Sequence, residues 1–107
     1  MRILITGASG LYGSKLAEIA TKYQVYSGQN QHRASFGTPV QLDICDRAQV
    51  DTTLDKVNPE VIVHAATLTD VDKCETDRKL AWNINVEGTV NITKACDIRN
   101  IFLILIS

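Results

Sequence analysis

Apolar and polar positions alternate along the chain in blocks, and the blocks change period. Arg2-Ile-Leu-Ile-Thr6 is a short apolar run, predicted as a strand over Arg2–Thr6. Leu11 to Tyr23 follows with Leu16, Ile19, Ala20 and Tyr23 at spacings of three and four, the pattern of a helix with one apolar face. A second strand is predicted over Gln24–Ser27, a polar loop over Gly28–Thr38, and a short third strand over Val40–Leu42. Asp46 is placed to cap a helix over Arg47–Val57. Asn58-Pro59 ends that helix, because a residue before proline avoids helical geometry. Glu60–Ala66 opens with Val61-Ile62-Val63, as in a strand buried on both faces. A long helix capped by Asp70 or Asp72 reaches about Ile98, with Ala81, Ile84, Gly88, Ile92 and Ala95 as its inner stripe. Ile101–Ile106 is the last strand.

Strands alternating with helices predict an α/β fold with a doubly wound parallel sheet. The expected strand order is 3-2-1-4-5, with ligand beyond the carboxyl ends of strands one and four, where the winding reverses.

Between the first strand and first helix lies Gly7-Ala-Ser-Gly10-Leu-Tyr-Gly13. Glycines remove side chains where a pyrophosphate approaches the backbone, and the helix directs unpaired N–H groups at it. The spacing is G-x-x-G-x-x-G, which differs from the commoner G-x-G-x-x-G dinucleotide pattern. A tight turn, with Gly13 serving only packing, is the alternative.

At 107 residues the chain is long enough for one domain with a real core. A net charge of −1 gives no basic surface for nucleic acid or anionic membrane. No apolar run reaches the roughly 18–20 residues of a membrane span. With no signal peptide at the start, a cytoplasmic location is expected. The cysteines, Cys45, Cys74 and Cys96, are odd in number and lack C-x-x-C spacing, and His32 and His64 stand apart from them. Reduced, mostly buried thiols and no metal site are therefore expected. Asn91-Ile-Thr93 matches a glycosylation acceptor but falls inside the long predicted helix.

Four segments together resemble a known family. Thr6-Gly-Ala-Ser-Gly-Leu-Tyr-Gly13, Pro59-Glu-Val-Ile-Val-His-Ala-Ala66 and Ala81-Trp-Asn-Ile-Asn-Val-Glu-Gly-Thr89 are similar to the extended short-chain dehydrogenase/reductases. Thr69-Asp-Val-Asp-Lys-Cys-Glu75 resembles the dTDP-4-dehydrorhamnose reductase branch, which also includes the regulatory beta subunit of methionine adenosyltransferase. The resemblance covers the whole chain. It implies a Rossmann-like NAD(P)-binding domain over residues 1–107 and hydride transfer to a 4-keto sugar nucleotide.

Carried over by position, Gly7, Ser9, Gly10, Leu11, Tyr12 and Gly13 would meet the pyrophosphate. Asp43 and Ile44 would flank the adenine, and Ala65, Ala66, Thr67 and Thr69 would line the cofactor past strand four. Ser107 would be a cofactor neighbour. Asn85 matches the family's helix-four asparagine, with a helix residue bonding its own backbone as the alternative. Strand two ends without the acidic residue that would bind a ribose 2′-hydroxyl. Asn30, His32 and Arg33 stand there instead, and Arg33 can take a 2′-phosphate in a two-pronged contact. NADP(H) is therefore expected over NAD(H), with a solvated loop arginine as the alternative.

The family continues Ser-Thr-Asp-Tyr-Val-Phe-Asp-Gly from the position of Ser107, then carries a Tyr-x-x-x-Lys and a substrate domain. No acid–base catalyst can be assigned within the 107 residues, so the chain reads as the N-terminal part of a longer reductase, inactive alone. The apolar segment Ile101–Ile106, at or near the sheet edge, should drive pairing between copies, so a homodimer or aggregate is expected. The competing expectations are a non-catalytic regulatory subunit that kept the dinucleotide pocket, and a sugar-nucleotide epimerase or dehydratase.

Overall fold

The computed structural model describes residues 1–7, 15–18, 22–29, 36–65 and 78–106, with only the backbone described for 78–85. Its elements are β1 (Arg2–Thr6), β2 (Gln24–Gln29), β3 (Thr38–Gln41), α1 (Arg47–Val57), β4 (Val61–His64), α2 (Arg78–Arg99) and β5 (Phe102–Leu105). Residues 15–18 are also helical. The rest of the helix expected over Leu11–Tyr23, and the caps expected at Asp70 or Asp72, lie outside the described residues.

All five strands are parallel, in the order β3-β2-β1-β4-β5. The register explains how an apolar strand serves two cores. Leu4 stands beside Tyr26 and Ile62, and Ile62 beside Leu103. These four turn to one face, where Leu4 and Ile62 pack with Leu42, Ile44, Val50, Leu54, Ile92, Ala95 and Cys96. That core lies under α1 and α2. One residue along, Ile5 stands beside Val63, and Ile3 beside Val25. They turn to the opposite face, where Ile5 and Val25 pack with Ala17 of the helical residues 15–18. A strand buried on both faces has no polar side to mark it, so the continuous apolar runs of β1 and β4 are what this position requires.

The outer strand departs from the sequence expectation. β2 continues through Gly28 and Gln29, and β3 starts at Thr38 and ends at Gln41. Ladder pairs from Tyr26↔Thr38 to Gln29↔Gln41 fix this extent. The β3 strand is an exposed edge, so it needs no apolar alternation and tolerates Pro39. Behind it, Gly37 adopts φ +78, and a Cβ there would meet the Ser27 hydroxyl. The buried Ser27 hydroxyl donates to the Phe36 carbonyl at 2.5 Å, tying the turn to β2.

α1 begins and ends on its own local chemistry. The Asp46 carboxylate accepts the Gln49 N–H at 3.2 Å as the N-cap. Asn58 closes the helix in the left-handed region, φ 49 and ψ 57, and its N–H reaches the Leu54 carbonyl at 2.8 Å. The boundary expected from Asn58-Pro59 is therefore correct. α2 rests on the sheet through Gly88, Ile92, Ala95 and Cys96. The stripe members Ala81 and Ile84 fall where side chains are not described.

Candidate functional site

Parallel strands all point their carboxyl ends to one side, so whatever follows each strand gathers along that rim. Gly7 follows β1, the segment 42–45 follows β3, and Ala65 follows β4. The winding reverses between β1 and β4, the place on the rim where ligands bind in open parallel sheets.

Gly7 has φ +68, a backbone conformation that L side chains rarely adopt. It turns the chain abruptly at the end of β1, without a side chain on the rim. Ala65 lies next to it. Its N–H is shared between the Thr6 carbonyl at 3.2 Å and the Thr6 hydroxyl at 3.1 Å. The same hydroxyl is 2.7 Å from Nδ1 of His64, and His64 Nε2 is 3.2 Å from the Thr89 hydroxyl on α2. A neutral imidazole has one donor and one acceptor, and a hydroxyl can serve either role, so both ring nitrogens are satisfied. His64 is only 2% exposed, and burial lowers its pKa. The ring is held neutral as a polar bridge from β1 through β4 to α2.

Beyond β2, the segment after β3 is held from several sides. The Leu42 N–H donates to the Gln29 carbonyl at 2.8 Å. The Asp43 N–H donates to the Gln49 side-chain carbonyl of α1. The Asp43 carboxylate accepts the Cys45 N–H at 3.0 Å, and its carbonyl accepts the Asp46 N–H at 3.0 Å. Ile44 turns its side chain into the core, and its carbonyl accepts the Asn91 side-chain amide at 2.9 Å. Burial first, then the charges of Asp43 and Glu87, push the Cys45 thiol up. Burial pushes Cys96 up to about 11, against the opposing pull of Arg99. Neither forms a disulfide, and both stay protonated at neutral pH, which suits packing rather than nucleophilic chemistry.

Of the residues expected from sequence to meet a cofactor, the structure thus brings Gly7 and Ala65 side by side at the ends of β1 and β4. It sets Asp43 and Ile44 at the far end of the same rim, two strands away. Ser9, Gly10, Leu11, Tyr12, Gly13, Asn30, His32, Arg33, Ala66, Thr67, Thr69 and Ser107 lie outside the described residues. So does Cys74, and so does the side chain of Asn85. Sequence reasoning overlooked Thr6, His64, Thr89 and Asn91 as a supporting set. The one available signal was a histidine closing an otherwise apolar strand.

A nicotinamide dinucleotide fits the described part of this rim. Gly7 places no side chain of its own at the end of β1, where a phosphate could approach the backbone, and a carboxylate at the β3 exit suits an amino group. Among the described residues no group of three or more histidine, cysteine or acidic side chains could hold a metal. Among the same residues no helix is long and apolar enough to cross a membrane.

A family model described as the RmlD substrate binding domain matches residues 1–107. The dTDP-4-dehydrorhamnose reductase of Aggregatibacter actinomycetemcomitans is 33% identical over 97 residues, covering 88% of this chain and 30% of its own length. A crystal structure of a hypothetical dTDP-4-dehydrorhamnose reductase from Sulfolobus tokodaii superposes with a TM-score of 0.86. It is 34% identical and covers 100% of this chain and 39% of its own. The dTDP-4-dehydrorhamnose reductase from Bacillus anthracis, solved in complex with NADP, is 32% identical with a TM-score of 0.76. It covers 95% of this chain and 34% of its own. The chain therefore spans about a third of the length of these relatives.

Proposed function

The chain belongs to the RmlD substrate binding domain family, and from that premise we propose that it is the cofactor-binding part of an NADP(H)-dependent reductase of a 4-keto deoxy-sugar nucleotide. The observation that carries the reading is the positive-φ glycine that ends β1 at the winding reversal, in a chain matched end to end by that family. A bound nicotinamide dinucleotide supplies the hydride. The chain's own residues bind and orient it. Gly7, Ser9, Gly10, Leu11, Tyr12 and Gly13 receive the pyrophosphate, and Ala65, Ala66, Thr67 and Thr69 line the nicotinamide side with Ser107. The Asp43 carboxylate accepts from the adenine amino group.

Arg33, with Asn30 and His32, takes the 2′-phosphate and sets the preference for NADP(H). One charged contact of this kind is worth about 1.5–3 kcal/mol, roughly tenfold to a hundredfold in affinity. Fluorescence titration of wild type and Arg33→Ala with NADPH and NADH tests it. NADPH should bind tighter to the wild type, and the substitution should erase the difference. Equal wild-type affinities would remove the preference, and no binding of either would remove the dinucleotide reading. The 107 residues carry no assigned acid–base catalyst, so the chain alone is expected to bind the dinucleotide without turning over a sugar nucleotide.

A further inference from the structure

Asn91 sits on α2, remote in sequence from the strand exits, yet its side-chain amide donates to the Ile44 carbonyl at 2.9 Å. That contact spans 47 residues of sequence and ends one residue after Asp43. Gly88, one turn earlier on the helix, packs against the side chain of the same residue. A Cβ on Gly88 would lie 2.4 Å from Ile44 Cδ1. So α2 grips Ile44 twice, by its main chain and by its side chain. From α1, Gln49 holds the Asp43 N–H. The Asp43 carboxylate is thereby carried on a main chain fixed on both sides, with its own Oδ1 engaged by the Cys45 N–H.

We propose that Asn91 is a positioning residue for adenine recognition: it anchors the Ile44 carbonyl so that the Asp43 carboxylate stands ready for the base's amino group. The proposal rests on the dinucleotide reading above. A carboxylate on a loose segment must be ordered when the base arrives, and ordering costs affinity. A hydrogen bond from a helix that also forms the core removes that cost beforehand. The selectivity follows from chemistry. Adenine offers an amino donor to the carboxylate, whereas hypoxanthine offers a carbonyl oxygen that the carboxylate repels. A poorly held Asp43 swings away from hypoxanthine at little cost, so discrimination falls.

The test compares NADPH with its hypoxanthine analogue on wild type, Asn91→Ala and the exposed neighbour Val90→Ala. Wild type and Val90→Ala should favour the adenine form alike. Asn91→Ala should lose about fivefold or more of that preference, measured well below its unfolding midpoint. A merely structural loss would lower the midpoint and leave the ratio unchanged, and that result would overturn the proposal. So would a wild type that does not discriminate between the bases. Absence of NADPH binding to wild type is a different failure, that of the dinucleotide reading. Should Asn91→Ala not fold, wild-type NMR decides: NADPH should shift the Asn91 side-chain amide and the Cys45 N–H more than its hypoxanthine analogue does. Identical shifts with the two ligands would overturn the proposal.

Discussion

At the scale of single residues, two positions make opposed demands legible. Gly88 costs α2 about 1 kcal/mol in propensity relative to alanine. Its absent side chain makes room for Ile44, whose Cδ1 and Cγ1 would lie 2.4 and 2.7 Å from an added Cβ. Ile44 is itself buried, and overpacking of this kind costs about 1–3 kcal/mol, so the clash outweighs the propensity gain. Gly88→Ala is therefore expected to lower the unfolding free energy by about 1 kcal/mol net, read as a lower urea midpoint. In that background Ile44→Val should cost less than it does in wild type, a coupling that a double-mutant cycle reads directly. His64 makes the second demand. Its pKa is lowered in the fold by burial, so the unfolded chain takes up a proton first as pH falls. Between the unfolded value of about 6.5 and the lower folded value, the unfolded state binds more protons, and stability declines with falling pH. One group contributes at most about 1.4 kcal/mol per pH unit. Denaturation of wild type against His64→Gln from pH 7.5 to 5.5 should show a steeper acid-side loss in wild type. Parallel curves would assign the slope to other groups.

At the scale of elements, local signals and tertiary signals separate cleanly. The Asp46 cap was legible because its partner is three residues away; Asp46→Ala should cost about 0.5–2 kcal/mol by thermal denaturation. The runs of β1 and β4 were legible because burial on both faces leaves no polar position to confuse the period. The ends of β2 and β3 were not. Gly28, Gln29, Thr38 and Pro39 carry no strand pattern, and only the ladder with a neighbouring strand makes them extended. The same limit applies at the candidate site. Gly7 could be read from its place after an apolar run. Asn91 could not, because its contact with Ile44 depends on a helix crossing the sheet. The joint between α1 and α2 is of that second kind too. Arg99 meets Asp51 at 3.2 Å and Asp55 at 3.0 Å, and with both aspartates reaching solvent this set contributes mainly by fixing the two helices' relation.

At the scale of the whole molecule, the sheet is unevenly finished. β1 lies in the middle, ladder-bonded on both sides, whereas among the described residues β5 is bonded only to β4. Phe102, Ile104 and Leu105 of β5 are 66%, 42% and 55% exposed. An apolar edge with free main-chain groups is a template for another strand. This chain by itself is expected to self-associate in sedimentation, and Ile104→Lys is expected to shift it toward monomer. A wild type that stays monomeric at high concentration would count against the expectation. The opposite edge, β3, carries Thr38, Pro39 and Gln41, and among the described residues it offers no comparable surface.

The bond from Asn91 to Ile44 also bears on how the protein can be made. The donating nitrogen is the atom to which an oligosaccharide would be joined in Asn91-Ile-Thr93, and it is committed inside the native state. Sugar transfer during passage through a secretory route could strike only the nascent polypeptide. A glycan so attached would wedge α2 off the segment after β3 and trap the product unfolded. Yield from a glycosylating host should therefore recover with Thr93→Ala, which abolishes the acceptor sequence and spares the asparagine.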